Sequence, residues 1–467
     1  MIQQVIRHIS YYWILWAFLF FTSCQQKSET KYTNNKGEVK LILLAPGHFH
    51  ADLLLKPNSD RINDTVFVYA PMGNELNQHL SRIESYNNRV ENPTSWKEKV
   101  YSGNDFMDLM LSEKPGNVVV LAGNNQRKTN YILKCVEAGL NVLSDKPMAI
   151  NFKSFQQLEQ AFQQAEKNQV LLYDIMTERY DILNEIEKIL IQNKELFGEI
   201  EKGTPDEPAV SVESTHHFYK TVSGKPLVRP AWYYDIEQQG EGIVDIATHL
   251  VDLVNWQCFP EMVLDYTKDV EMVSANHWTT DLTLHQFSQS TQLNEFPEYL
   301  DKYIADNLLK VYANGEIHYK IKEVNIALKV IWNYEAPEGS GDTYSSIIKG
   351  TKAVCKIIQN KEQNYISQLY IQKTKEVNQA VFEMNLNNTI KKLQETYPFI
   401  TLITENDMYK IDIPVDKRES HEAHFSLVGE KYFDFLVNRD MPAWEVPNML
   451  TKYFITTKAL ELAQLSN

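Results

Sequence analysis

The sequence predicts an α/β protein in which an N-terminal doubly wound parallel sheet precedes an α+β domain built on a large, mostly antiparallel sheet. Short apolar runs alternate with helix-like segments from residue 39 to about residue 178, and strands separated by helices at this interval pair in parallel. Beyond about residue 180 long strand-like runs with period-two patterning take over, as in antiparallel sheets with one solvated face. At 467 residues the chain exceeds one ordinary domain.

The elements follow in order. Residues 39–44 form an apolar strand that Pro46 and Gly47 break, and residues 50–56 read as helix. Residues 66–69 are a second strand, ended by Pro71 and Gly73; residues 107–112 are helical, Pro115 and Gly116 turn, and residues 118–121 are a third strand. A helix over 130–138 is closed by Gly139 as its C-terminal cap. Residues 141–144, 155–168 and 170–175 continue as strand, helix and strand. Right-handed crossovers would set the loops at Gly47, Tyr69, Gly123 and Asp145 along one crevice. This gives a first domain over 39–178 and a second over 179–467. In the second, strand-like runs fill 209–218, 262–273 and 308–332, and amphipathic helices fill 419–465, with Phe425, Val428, Tyr432, Phe435 and Leu436 on one face.

The formal charge of -15, from 46 basic and 61 acidic side chains, excludes the class of nucleic-acid binders. Residues 1–24 read as a lipoprotein signal peptide: Arg7 and His8 precede an apolar run over 11–21, and Phe21-Thr22-Ser23-Cys24 resembles a bacterial lipobox. Cys24 is then the lipidation site, and the protein is exported, facing the periplasm and touching the membrane only through that anchor. Phe21 departs from the commoner Leu, so a plain secretory signal or short anchor stays open. Residues 25–38 form a polar, flexible tether. Cys135, Cys258 and Cys355 sit in separate apolar stretches and read as buried thiols; export would allow two to pair, but spacing does not say which. No pair has metal-ligand spacing, and no metal is expected.

Four segments carry candidate chemistry. The first strand–helix turn is Ala45-Pro46-Gly47-His48-Phe49-His50-Ala51, where a dinucleotide site wants glycines so that backbone N–H groups approach the pyrophosphate; only Gly47 matches. The second strand ends in Val68-Tyr69-Ala70-Pro71 without the usual ribose-binding carboxylate. Asp145-Lys146-Pro147 ends a later strand, and Pro147 keeps Lys146 extended, though a local ion pair would also account for that lysine. Gly240-Glu241-Gly242 precedes an apolar helix on which Asp245 and His249, four apart, share a face.

These segments resemble the glucose–fructose oxidoreductase / inositol dehydrogenase / MocA family. Asp145-Lys146-Pro147 matches its Glu-Lys-Pro motif on a Rossmann domain, and residues 240–249 match its glycine-run…Asp-x-x-x-His motif on the second domain. The resemblance runs from about residue 39 onward, includes Arg229-Pro230-Ala231-Trp232-Tyr233-Tyr234-Asp235, and is close to an oxidoreductase branch bearing Pro-Gly-His-Phe-His-Ala. It implies hydride transfer between a secondary hydroxyl or ketone of a sugar, glycoside or polyol and NAD or NADP. His249 is the implied base, with a pKa near 7. Lys146 hydrogen-bonds the developing alkoxide, and Asp245 fixes the cluster. The implied cofactor contacts are Gly47, His48, Phe49, Tyr69, Ala70, Pro71, Gly123, Asn124, Asn125, Asp145 and Lys146. Arg179, Tyr180, His217, Arg229, Trp232 and Tyr233 are the implied substrate contacts. The family also implies a homo-oligomer. Because free nicotinamide cofactor is scarce outside the cytoplasm, export implies a tightly bound one. An NAD-dependent glycosidase working by transient oxidation, and a non-catalytic sugar-binding protein on the same scaffold, are the alternatives.

Overall fold

The computed structural model describes residues 32–222 and 225–466. The signal-like run, Cys24 and residues 25–31 of the tether lie outside the described residues. Six parallel strands, β1 (Leu41–Leu44), β2 (Thr65–Ala70), β3 (Lys97–Ser102), β4 (Val118–Leu121), β5 (Asn141–Asp145) and β6 (Leu172–Ile175), form the first sheet in the order β3-β2-β1-β4-β5-β6. β1, β4 and β5 are buried along their whole length, which is why they read as unbroken apolar runs. The helices between them are α1 (His50–Leu53), α2 (Asn74–Asn88), α3 (Phe106–Glu113), α4 (Lys128–Glu137) and α5 (Phe152–Asn168). A reciprocal capping box between Asn151 and Ser154 starts α5.

The differences from the sequence expectation have physical causes. β3 is Lys-Glu-Lys-Val-Tyr-Ser, an edge strand exposed along much of its length, so it carries no apolar run to find. α2 buries only Leu76, His79 and Ile83, and the middle one is an imidazole held between Asp52 and Glu98. The helix expected over 50–56 is a single turn, α1.

The second sheet has ten strands. Its main path uses β7 (Val210–Tyr219), β8 (Val270–Leu282), β9 (Leu308–Ile321), β10 (Val324–Glu335), β11 (Thr343–Lys349), β12 (Ala353–Gln359), β13 (Gln368–Lys373), β14 (Thr401–Glu405) and β15 (Met408–Asp412). The order is β8-β9-β10-β7-β11-β12-β13-β15-β14, and along this path only β7 and β10 pair in parallel. The expected run over 308–332 is a hairpin, β9 and β10, turning at Lys322 with φ +57°. The strand expected over 262–273 lies further on, as β8. Helices α6 (Ile182–Gln192), α7 (Gly242–Asp245), α8 (Ala247–Cys258) and α9 (Gln379–Thr396) complete this domain's core through side chains such as Ile186, Val251 and Leu386.

The last two helices, α10 (His421–Asn438) and α11 (Glu445–Leu465), return to the first domain. Phe425, Val428, Tyr432, Phe435, Leu436 and Tyr453 join the cluster built by Leu43, Val120 and Leu143. A buried ionic chain ties the same elements. Lys452 Nζ is 2.6 Å from Asp174 Oδ2 and 2.8 Å from Asp252 Oδ1. Arg179 holds Asp252 by two 2.7 Å bonds and reaches Glu445 at 3.0 Å. Cys135, Cys258 and Cys355 are buried free thiols. Among the described residues no helix is long and apolar enough to cross a membrane.

Candidate active site

The crevice between the domains has two lobes that share Gly123 and Trp232 in their linings. One is a groove of about 530 Å³ along the C-terminal ends of β1, β2 and β4, and the other a cavity of about 590 Å³ between β5 and the second sheet. Both fall in the usual range for ligand sites. Close packing shapes the junction: a Cβ on Gly123 would lie 2.6 Å from the Ala45 carbonyl oxygen, so this position admits only glycine without moving the β1–α1 turn. Ala45 itself holds a left-handed φ of +48°, the conformation for which a glycine is ordinarily used.

Lys146 follows the buried end of β5, and its ammonium donates to Asp245 Oδ1 at 2.7 Å. Asp245 Oδ2 accepts from the Gln239 amide at 3.0 Å. The glycines before Asp245 have a steric reason. A Cβ on Gly242 would sit 1.8 Å from the Ala313 carbonyl oxygen of β9, so α7 can lie against the sheet only with no side chain there. His249 stands four residues on, past a break at Ile246 between α7 and α8. Its Nδ1 is buried without a protein partner.

Burial and the adjacent Lys146 push the His249 pKa well below the usual imidazole value, so the ring is neutral and able to accept a proton, with a lower basicity than the value near 7 expected from sequence. Burial raises the Asp245 carboxyl, but Lys146 outweighs it and the pKa is lowered. Asp145 is held well below the carboxylate range because His50, His48 and Lys128 overcome its burial. Burial lowers Lys128 to about 8; its ammonium donates to the Asp145 main-chain carbonyl at 3.1 Å.

Of the residues singled out in sequence, His48, Phe49, Gly123, Asn125, Asp145, Lys146, Arg229, Trp232, Tyr233, Asp245 and His249 line the cavity, while Gly47, Ala70, Pro71 and Asn124 line the groove. The rest lie elsewhere. Tyr69 is buried with its hydroxyl on Glu113. Arg179 is spent on Asp252 and Glu445, and Tyr180 packs at the edge of the first core. His217 turns to Asp342 at 2.8 Å, whereas His216 lines the cavity and stacks on Trp332. That is a one-residue slip on β7, which changes the face a side chain meets.

Sequence reasoning missed Glu178, which enters the cavity from the segment after β6. Burial and Asp181 raise its pKa to about 7, and His421 Nδ1 lies 3.6 Å away. It also missed Glu75, a groove carboxylate five residues beyond the end of β2, and Arg127 on the same lining. The groove fits an extended dinucleotide: Leu44, Ala70 and Leu121 make apolar walls, Glu75 can accept from ribose hydroxyls, and Arg127 can meet phosphate.

A family model described as "Oxidoreductase family, NAD-binding Rossmann fold" matches residues 45–174, and one described as "Putative oxidoreductase C terminal domain" matches residues 186–464. The chain belongs to the glucose–fructose oxidoreductase / inositol dehydrogenase / MocA family. It is similar to a solved "putative oxidoreductase" of Parabacteroides merdae ATCC 43184, with 48% identity over 94% of this chain and 100% of that one, at a TM-score of 0.92. The WlbA dehydrogenase of Bordetella pertussis, solved with NADH and UDP-GlcNAcA, has 14% identity over 93% of this chain and 98% of that one, at a TM-score of 0.54. A 3-ketoreductase of Actinomadura kijaniata, solved with NADP and TDP-benzene, has 10% identity over 89% and 95%, at 0.53. The last two share the family fold. No curated protein compared matches the chain. As a family member the protein is an oxidoreductase with an NAD-binding Rossmann domain.

Proposed function

We propose that this oxidoreductase interconverts a secondary hydroxyl and a ketone on a sugar, glycoside or polyol, using a nicotinamide dinucleotide that it retains. The observation that carries this reading is the 2.7 Å Lys146–Asp245 pair beside the neutral His249, in a cavity that opens at Gly123 and Trp232 into the dinucleotide-shaped groove. Trp232, Tyr233 and Trp332 offer aromatic faces, and Arg229, Asn184 and Asp342 offer polar tips, the mixture a polyol needs.

In the oxidising direction the His249 imidazole accepts the hydroxyl proton, and the Lys146 ammonium, aimed by Asp245, hydrogen-bonds the oxygen as it gains charge. A bound nicotinamide would supply the acceptor for the hydride that leaves the same carbon. Glu178 lines the same cavity and is assigned the onward relay of the proton in this reading. The Glu75 carboxylate would repel a 2′-phosphate and therefore favours NAD. The lipidated Cys24, the periplasmic address and the homo-oligomer belong to this reading as well, on the support of the N-terminal sequence and the family resemblance.

Mass spectrometry of the denatured, purified full chain tests the reading. The expected result is about one released dinucleotide per chain, with a keto-sugar formed from an offered glycoside. Absence of both bound dinucleotide and dinucleotide binding would overturn it. Glycoside cleavage without net redox would instead mark the glycosidase.

A further inference from the structure

The glycine-loop departure His48-Phe49-His50 supplies no group to the proton transfer described above, and the fold brings both imidazoles onto one carboxylate. His50 Nδ1 lies 3.0 Å and His48 Nδ1 3.6 Å from Asp145 Oδ2. One ligand atom from each residue falls within 4.8 Å of the others, and the two rings meet edge to face with centroids 3.9 Å apart. All three residues line the cavity. We propose that His48, His50 and Asp145 form a binding site for one divalent first-row transition-metal ion, with its open positions facing the cavity.

Three features support this. Metal–nitrogen and metal–oxygen bonds of about 2.0–2.2 Å at tetrahedral or octahedral angles put adjacent ligand atoms about 2.8–3.6 Å apart, a span that holds the 3.0 Å and 3.6 Å contacts to Asp145. Two imidazoles and one carboxylate are a donor set for Zn²⁺, Fe²⁺ or Co²⁺, with positions left for water or a substrate oxygen. Finally, His48 Nδ1 is a buried ring nitrogen with no hydrogen-bond partner, an otherwise costly state. The two nearby ammoniums are committed elsewhere. Lys128 Nζ binds Asn125 Oδ1 and the Asp145 main-chain carbonyl, and Lys146 Nζ binds Asp245. His50 is braced by the Phe425 ring of α10, 4.3 Å between centroids, so the site is anchored from both domains. Cysteine spacing could not reveal it, because its ligands come from the β1–α1 turn, from the first residue of α1 and from a strand 95 residues after His50.

The test needs no activity and does not depend on the hydride reading. The full chain, purified in detergent, is treated with a chelator, then titrated with Zn²⁺ or Co²⁺ by calorimetry and assayed for metal after desalting. One ion per chain is expected. H48A and H50A should each weaken binding about tenfold or more, while H285A, an exposed histidine on another helix, should bind as the parent does. His48 is partly exposed, so H48A should keep its fold, which thermal melting checks. No stoichiometric ion in the parent, or equal affinity in the folded H48A variant, overturns the proposal.

Discussion

The two lobes of the crevice differ in kind. The groove is walled mainly by apolar and small residues, with Gly47, Ala70, Pro71 and Gly123 on its surface and Glu75, Arg127 and Lys128 as its charged groups. The cavity gathers Lys146, Asp145, Asp245, His249, His216 and Glu178, several with pKa values moved far from their ordinary range. One lobe is shaped to hold a ligand by fit, and the other to place charge. Changes in the groove should therefore act mainly through packing, and changes in the cavity through electrostatics.

The largest effect should come from Lys146→Met, which leaves Asp245 charged, buried and unpaired. Turnover should fall at least about a hundredfold, and stability should drop by about 3 kcal/mol. The K146M/D245N double variant should regain the stability and stay inactive, as paired melting and turnover measurements would show. Recovered turnover would mean that the pair serves folding alone.

Next is a matched pair of glycines. Gly242→Ala drives a methyl into the Ala313 carbonyl and should cost about 3 kcal/mol. Gly47→Ala meets its nearest neighbour at 3.5 Å, an ordinary contact, and should cost under about 0.5 kcal/mol. Denaturant midpoints of the two variants decide this, and equal losses would mean that the Ala313 carbonyl does not hold α7 to a glycine at 242.

Glu178 gives a smaller effect with a definite sign. Its folded pKa, raised to about 7 by burial and Asp181, exceeds its ordinary 4.5. Its contribution to stability is then fully present below pH 4.5 and lost as pH rises through 7. Glu178→Gln should leave stability at pH 4 unchanged and raise it at pH 8 by about 1 kcal/mol, the partial exposure of the carboxyl keeping the gain modest. Melting at both pH values checks it. The smallest effect is Ala45→Gly, which relieves a positive φ and should stabilise by about 0.5 kcal/mol once the freer unfolded chain is counted.

The parts legible in the sequence were those whose burial is uniform or whose chemistry is local. β1, β4 and β5 are buried on both faces, so their apolar runs stand out; Lys146 is marked by Pro147, and Asp245 with His249 by helical spacing. Elements with half-exposed faces, such as β3 and α2, left no comparable pattern. Arg179 has the composition of a substrate contact, and only tertiary packing shows that its guanidinium is consumed by Asp252 and Glu445. Glu178, His216 and the His48–His50–Asp145 cluster depend on which way a side chain turns at a strand end, or on contacts between distant segments, and neither is written in local spacing.

The return of α10 and α11 to the first domain bears on the order in which the molecule can be assembled during synthesis. Phe425, Tyr432, Phe435 and Tyr453 are fully enclosed parts of the first domain's core, and Lys452 neutralises Asp174 at the end of β6. A nascent chain that has delivered its first 180 residues therefore still has an open apolar face and an unpaired carboxylate in β6. Both are closed only when the final helix arrives. The first domain's core is thus completed by residues separated from it by nearly the whole polypeptide, and a chain cut short by a few dozen residues should lose the first domain along with the last.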